Sequence, residues 1–317
     1  MFWIAVCLIV GAVMLYFGSE WLVRGAKGLA LRVGVSPFVI GLTVVAFGSS
    51  APECITSIVS TSNPELIIGN VVGSNIANVG LAIGLAAIVA PLVAIYKDMK
   101  LEIWAMLAAV VGLCILAIIG YIGLYVGIVL IALLFVFLYT VFKKKKGDEE
   151  GRAMYEEEAE EEKLGTPILA VLVVVGLVLL YFGARFFIDG AKDLAALLGA
   201  SDMLIGLIVV AIGTSLPEMC ICIIASRRGE ADLAVANIVG SNIFNVLFVL
   251  GVGAVLVDIP ITESMLTFHM PVMVLFCLAM FLAVRLRNRI ERPTGVLFVG
   301  MYAAYIITMG LFPSLMI

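Results

Sequence analysis

Charge is scarce in this chain of 317 residues. Asp, Glu, Lys and Arg make up 13% of it and apolar residues 63%, whereas a soluble globular domain carries roughly 25% charged residues. That scarcity excludes a large water-soluble domain. There is no excess of positive charge either: the net charge is −4, which leaves no polybasic footprint for nucleic acid. Histidine is almost missing. His269 is the single one, which argues against histidine-based zinc sites and catalytic triads. It lies in an apolar run and is expected to be a packed or interfacial histidine rather than a gate. The six cysteines (Cys7, Cys54, Cys114, Cys220, Cys222 and Cys277) are scattered through apolar stretches and are expected to act as small hydrophobes in packed helices. The N-terminus lacks the positive n-region of a signal peptide, so a membrane span is expected to open directly at Phe2.

What the chain has instead is long apolar runs. A span needs about 20 apolar residues, and charged or Gly/Pro punctuation divides the sequence into ten, at about 2–23, 36–61, 65–90, 101–119, 122–142, 167–188, 203–226, 232–257, 264–285 and 294–313. One hydrophilic segment separates the fifth from the sixth. It holds Lys143–Lys146 and then nine acids between Asp148 and Glu162, and is expected to be a solvated linker rather than a regulatory calcium site. The organisation is therefore 1–142, a linker at 143–166, and 167–317. The loops after the odd-numbered spans hold 17 of the 19 Lys and Arg residues. By the positive-inside rule both termini face outside and the linker lies in the cytoplasm.

The two halves are copies. Gly41–Glu53 reads GLTVVAFGSSAPE and Gly206–Glu218 reads GLIVVAIGTSLPE, with 9 of 13 identical at an offset of 165. Gly69–Gly80 reads GNVVGSNIANVG and Ala236–Leu247 reads ANIVGSNIFNVL, with 8 of 12 identical at an offset of 167. Five spans per half is an odd number, so the second copy is upside down. The fold class is all-α polytopic membrane protein, ten transmembrane helices in two inverted five-helix repeats, which is a secondary-transporter architecture.

The repeated blocks also carry the polar residues. Glu53 and Glu218 each stand alone as an acid in an apolar span, at a cost of at least ~2.5–3.5 kcal/mol apiece. Each block places a polar pair at the i, i+4 spacing that shares a helix face: Ser49/Glu53, Ser74/Asn78, Thr214/Glu218 and Ser241/Asn245, with Ser50 and Ser215 joining them. Carboxylates, hydroxyls and amide oxygens without His or Lys suit hard cations such as Ca²⁺ or Na⁺. Pro52 and Pro217 break the helix beside each acid and are expected to free backbone oxygens around Ala46–Gly48 and Ala211–Gly213. Gly48, Gly73, Gly213 and Gly240 read as packing residues. Two carboxylates neutralise one divalent cation.

At these residues the sequence resembles the sodium/calcium exchanger family, through GSSAPE (48–53) with GSNIAN (73–78) and GTSLPE (213–218) with GSNIFN (240–245). The resemblance implies an antiporter of Na⁺ and Ca²⁺, with spans 2, 3, 7 and 8 around one cluster of cation sites and Glu53 and Glu218 as shared ligands. It implies side-chain roles for Ser49, Ser50, Ser74, Asn78, Thr214, Ser215, Ser241 and Asn245, carbonyl roles for Ala46 and Ala211, and spans 1 and 6 as a sliding pair. It calls for no cofactor beyond the transported ions and no oligomer to complete the site. Asn245 stands where potassium-dependent relatives carry Asp, which argues against K⁺ co-transport. The short linker suits a prokaryotic plasma-membrane protein. H⁺/Ca²⁺ exchange on the same scaffold is the nearest alternative; a passive cation channel and an intramembrane carboxylate enzyme are weaker ones.

Overall fold

The computed structural model describes residues 2–146, 164–198, 211–312 and 315. Among them nine helices are long and apolar enough to cross a membrane. In chain order we label the helices α1 (Phe2–Val33), α2 (Pro37–Ser62), α3 (Glu65–Val89), α4 (Lys100–Ala117), α5 (Leu124–Lys146), α6 (Thr166–Leu197), α8 (Ala231–Leu256), α9 (Met265–Arg287) and α10 (Arg292–Leu311). The helix between α6 and α8 is α7, described from Ala211 through Thr214 and again over Leu216–Arg227. The first part of the span expected at 203–226, and the acidic run 148–162, lie outside the described residues.

Two helices outrun their apolar stretches. α1 was expected to end near residue 23 and α6 near residue 188, yet they continue to Val33 and Leu197. Hydropathy marks the thickness of the bilayer, and the charged turns beyond it remain good helix. α1 stops where Gly34 takes φ +70° and the N–H of Val35 reaches back to the Ala30 carbonyl at 2.9 Å, a left-handed helix cap.

α1 and α6 lie antiparallel along a glycine seam. Gly11, Gly18 and Gly25 recur every seventh residue, as do Gly176, Gly183 and Gly190 at an offset of 165. A Cβ on Gly18 would meet the Gly176 carbonyl oxygen at 3.0 Å, and one on Gly176 would meet Gly18 O at 2.8 Å. The two backbones touch, as small residues permit between membrane helices. α1 is also tied to the α7–α8 loop by Lys27 Nζ to Glu230 Oε1 at 2.7 Å and by an ion pair of Arg228 with Glu20.

Four two-residue strands, absent from the all-helical expectation, join the halves: β1 (Leu92–Val93) pairs with β4 (Arg289–Ile290), and β2 (Tyr121–Ile122) with β3 (Ile259–Pro260), both antiparallel. The ladders are images of each other under the repeat. Gly120 at φ +90° and Asn288 at φ 51° turn the chain into them, and their carbonyls accept from Ile261 N and Ala94 N, each at 2.9 Å.

α3 and α8 form the buried centre. α8 packs on α2 so closely that a Cβ on Gly240 would sit 2.4 Å from Leu42 O and 2.7 Å from the Ala46 Cβ. Gly48 and Gly213 pack instead against the α6 side chains Leu177 and Ile188. Gly73, expected to pack likewise, has no neighbour of that kind among the described residues.

Candidate functional site

Both acid-bearing helices break at the same place. Proline cannot donate to the carbonyl four residues back, and just before Pro52 and Pro217 the backbone shifts out of regular helix. Ser50 takes φ −85°, ψ 6° and Ser215 φ −90°, ψ 6°, the bridge conformation common at functional sites. Helix resumes at Ala51 and Leu216, which puts Glu53 and Glu218 in the first turn of a new helix. The partial positive charge of that N-terminus offsets part of the cost of a carboxylate there. Both side chains are fully buried.

α3 and α8 deliver the carboxamides. In each, α-helical pitch widens to an i→i+5 turn that begins at the expected ligand, over Asn78–Ile83 and Asn245–Val249. Such wide turns insert a residue's worth of rotation and recur at functional sites. Met265–His269 in α9 is another, and there His269 is packed as expected, with Nδ1 2.8 Å from Tyr305 Oη and Nε2 2.6 Å from Leu315 O.

Hydrogen bonds bring the four helices together. Ser50 Oγ donates to Glu218 Oε1 at 3.3 Å, joining α2 to α7. Ser49 Oγ lies 3.4 Å from Asn237 Oδ1, joining α2 to α8. Asn70 Nδ2 donates to the Glu53 carbonyl at 3.2 Å, joining α3 to α2. Asn78 Nδ2 donates to Asn242 Oδ1 at 3.0 Å and Asn245 Nδ2 to Asn75 Oδ1 at 3.2 Å, joining α3 to α8 twice. Ser74, Ser215 and Ser241 are buried in the same helices, whereas Thr214 is half-buried. The Ala46 carbonyl already accepts the Ser50 N–H at 3.0 Å and faces Ser49 Oγ at 3.3 Å, so it is less free than the proline break implied. Ala211 opens the described part of α7.

Sequence reasoning missed Asn70, Asn75, Asn237 and Asn242. They were identical within the repeated blocks, but a search for i, i+4 polar pairs passes over them.

The site is short of donors. No hydrogen-bond donor among the described residues reaches Glu53 Oε2, Glu218 Oε2, Asn78 Oδ1, Asn245 Oδ1 or the hydroxyl oxygens of Ser74, Ser215 and Ser241. A buried polar atom without a partner costs about 1–3 kcal/mol, so a fold that gathers these atoms in four touching helices is built for something that supplies positive charge. Among the described residues no three His, Cys, Asp or Glu come together to hold a metal, so the site rests on two carboxylates and neutral oxygens. Two carboxylates with neutral oxygens suit a hard, oxygen-seeking cation that must enter and leave.

Comparison with known proteins gives the same direction. The model of the "Sodium/calcium exchanger protein" family matches residues 3–143 and 168–311. The chain is 35% identical over 296 residues to the "uncharacterized membrane protein MJ0091" of Methanocaldococcus jannaschii, covering 93% of this chain and 94% of that one. It is 32% identical over 341 residues to the "sodium/calcium exchanger MaX1" of Methanosarcina acetivorans, covering 95% and 97%. Among solved structures, the sodium-calcium exchanger NCX_Mj superposes with a TM-score of 0.83 at 32% identity, covering 97% of this chain and 99% of that one.

Proposed function

The chain belongs to the sodium/calcium exchanger family, a family of membrane antiporters, and from that premise we propose that Na⁺ and Ca²⁺ take turns at one site between α2, α3, α7 and α8. The observation that carries this reading is the set of buried oxygens on α2, α3, α7 and α8, those of Glu53 and Glu218 included, that no donor among the described residues reaches. Glu53 and Glu218 supply the charge for either ion. Ser49, Ser50, Ser74, Thr214, Ser215 and Ser241 supply hydroxyl oxygens, and Asn78 and Asn245 supply carboxamide oxygens. Ala46 and Ala211 contribute through their carbonyls, Ala46 once the Ser49 hydroxyl rotates away. One Ca²⁺ against two carboxylates is neutral, and more than one Na⁺ competes for the same atoms.

The transported ions are substrates, and the chemistry of the site is binding and release rather than bond-making. The charge asymmetry of the loops supports a plasma-membrane orientation with both termini outside and the 143–166 linker in the cytoplasm. The glycine seam of α1 and α6 holds their backbones in contact along both helices, which supports their movement as one unit relative to the rest of the molecule. A single chain suffices for the site.

The test is competition. Equilibrium binding of radioactive Ca²⁺ to the purified protein is expected to fall to background as Na⁺ is raised, with a steep dependence on Na⁺. Ca²⁺ that stays bound at saturating Na⁺ would show separate sites and overturn the reading.

A further inference from the structure

A carboxamide has an oxygen end and an N–H end, and only the first attracts a cation. Something must decide which end Asn78 and Asn245 present. In each case the amide nitrogen is taken up by an asparagine of the other repeat: Asn78 Nδ2 by Asn242 Oδ1 at 3.0 Å, and Asn245 Nδ2 by Asn75 Oδ1 at 3.2 Å. The remaining oxygens, Asn78 Oδ1 and Asn245 Oδ1, are buried with no donor among the described residues. Asn75 and Asn242 are themselves fully buried, and equivalent at the offset of 167.

Their own polarity is fixed from behind. Asn242 Nδ2 faces Met106 Sδ at 3.7 Å and Cys277 Sγ at 3.9 Å. Asn75 Nδ2 faces Met273 Sδ at 3.6 Å and the Asn242 carbonyl at 3.4 Å. Sulfur is a weak acceptor. Flipping either amide would turn its oxygen toward sulfur lone pairs and set its N–H₂ against the N–H₂ of the site asparagine. Both ends of the flip are unfavourable, so the arrangement holds. Met106 and Met273 are also 167 residues apart, and the whole relay from sulfur through asparagine to site asparagine occurs twice.

We propose that Asn242 and Asn75 are positioning residues that fix the polarity of Asn78 and Asn245, each acting across the repeat boundary, so that the site offers oxygen and not N–H to the cation. This deepens the reading above and rests on it. It also predicts an uncommon coupling pattern: Asn75 and Asn78 are neighbours on one helix, but Asn75 governs Asn245.

A double-mutant cycle in liposomes tests it, reading the KM for Ca²⁺ and kcat of Na⁺-driven Ca²⁺ uptake. Aspartate has two equivalent oxygens and no polarity to fix. Asn242→Leu is expected to raise the KM for Ca²⁺ about tenfold in the wild-type background, the upper end of the scale of a lost hydrogen bond between neutral groups, with a smaller effect on kcat. In an Asn78→Asp background the same change is expected to move KM by less than about twofold. Asn75→Leu is expected to keep its full effect with Asn78→Asp and lose it with Asn245→Asp. Where a leucine variant fails to fold, as judged by gel filtration, Asn242→Ser and Asn75→Ser take its place, too short to reach the amide. Equal penalties in every background, or coupling within a helix rather than across, would overturn the inference. If Asn78→Asp and Asn245→Asp alone leave both Ca²⁺ and Na⁺ dependence unchanged, the site reading itself is what fails.

Discussion

At the scale of single residues, the account depends on two acids that have no other use. Glu53 and Glu218 are buried, each with one oxygen lacking a donor among the described residues, and each stands in the first turn of a restarted helix. Glu53→Gln or Glu218→Gln keeps the shape and removes half the charge. Breaking a buried charge pairing costs roughly 3–5 kcal/mol, so Ca²⁺ affinity is expected to fall by 100-fold or more, as measured by Ca²⁺ binding and Na⁺-driven uptake. Near-normal uptake by either variant would remove that residue from the site. The acids and their i, i+4 partners stand out as candidates in the repeated blocks, because an acid in an apolar span is costly and its duplication is not decoration. Asn75 and Asn242 were not legible as partners. Their role depends on which helix of the other repeat each one meets, and spacing within one helix carries no such information.

At the scale of elements, the proline breaks and the wide turns place the proposed ligands. Pro52→Ala restores a backbone N–H and lets α2 close over the break at Ser50. Uptake is expected to fall about tenfold while the thermal midpoint holds, since Pro52 sits in the first turn of the restarted helix, where proline is tolerated; a lower midpoint with unchanged transport would contradict this. Gly240 tests the packing of α8 on α2. Any side chain there meets Leu42 O at 2.4 Å, so Gly240→Ala is expected to destabilise the protein by about 1–3 kcal/mol, read as a lower melting temperature in detergent. The breaks could be read from proline, whose chemistry is local. The wide turns at Asn78 and Asn245 could not, because a π turn leaves the hydropathy pattern almost unchanged. Nor could the added turns of α1 and α6, where the helix outlasts the bilayer, or the two small ladders, which tie residues about 140–200 positions apart in the chain.

At the scale of the whole molecule, inversion is the organising fact. It was readable from matching blocks and an odd number of spans per half. It reappears in the glycine seam, the paired ladders and the crossed asparagines. Replacing residues 148–162 with a neutral flexible segment is expected to leave transport largely intact, because a solvated linker adds nothing to the site; a large shift in Ca²⁺ dependence would make the acidic run regulatory. With Asn78 and Asn245 neutral, the proposed ligands carry −2, and exchange of more than two Na⁺ per Ca²⁺, as the family resemblance implies, would move net positive charge with the sodium. A membrane potential acts on one such charge at about 2.3 kcal/mol per 100 mV, which shifts the equilibrium Ca²⁺ ratio roughly fifty-fold. Flux in voltage-clamped liposomes that ignores the potential would mean electroneutral exchange. The most direct test of the central claim is Ca²⁺ uptake into liposomes driven in turn by outward gradients of Na⁺, H⁺ and K⁺. The account predicts accumulation with the Na⁺ gradient and none with H⁺ or K⁺ alone; uptake driven by H⁺ and indifferent to Na⁺ would contradict it.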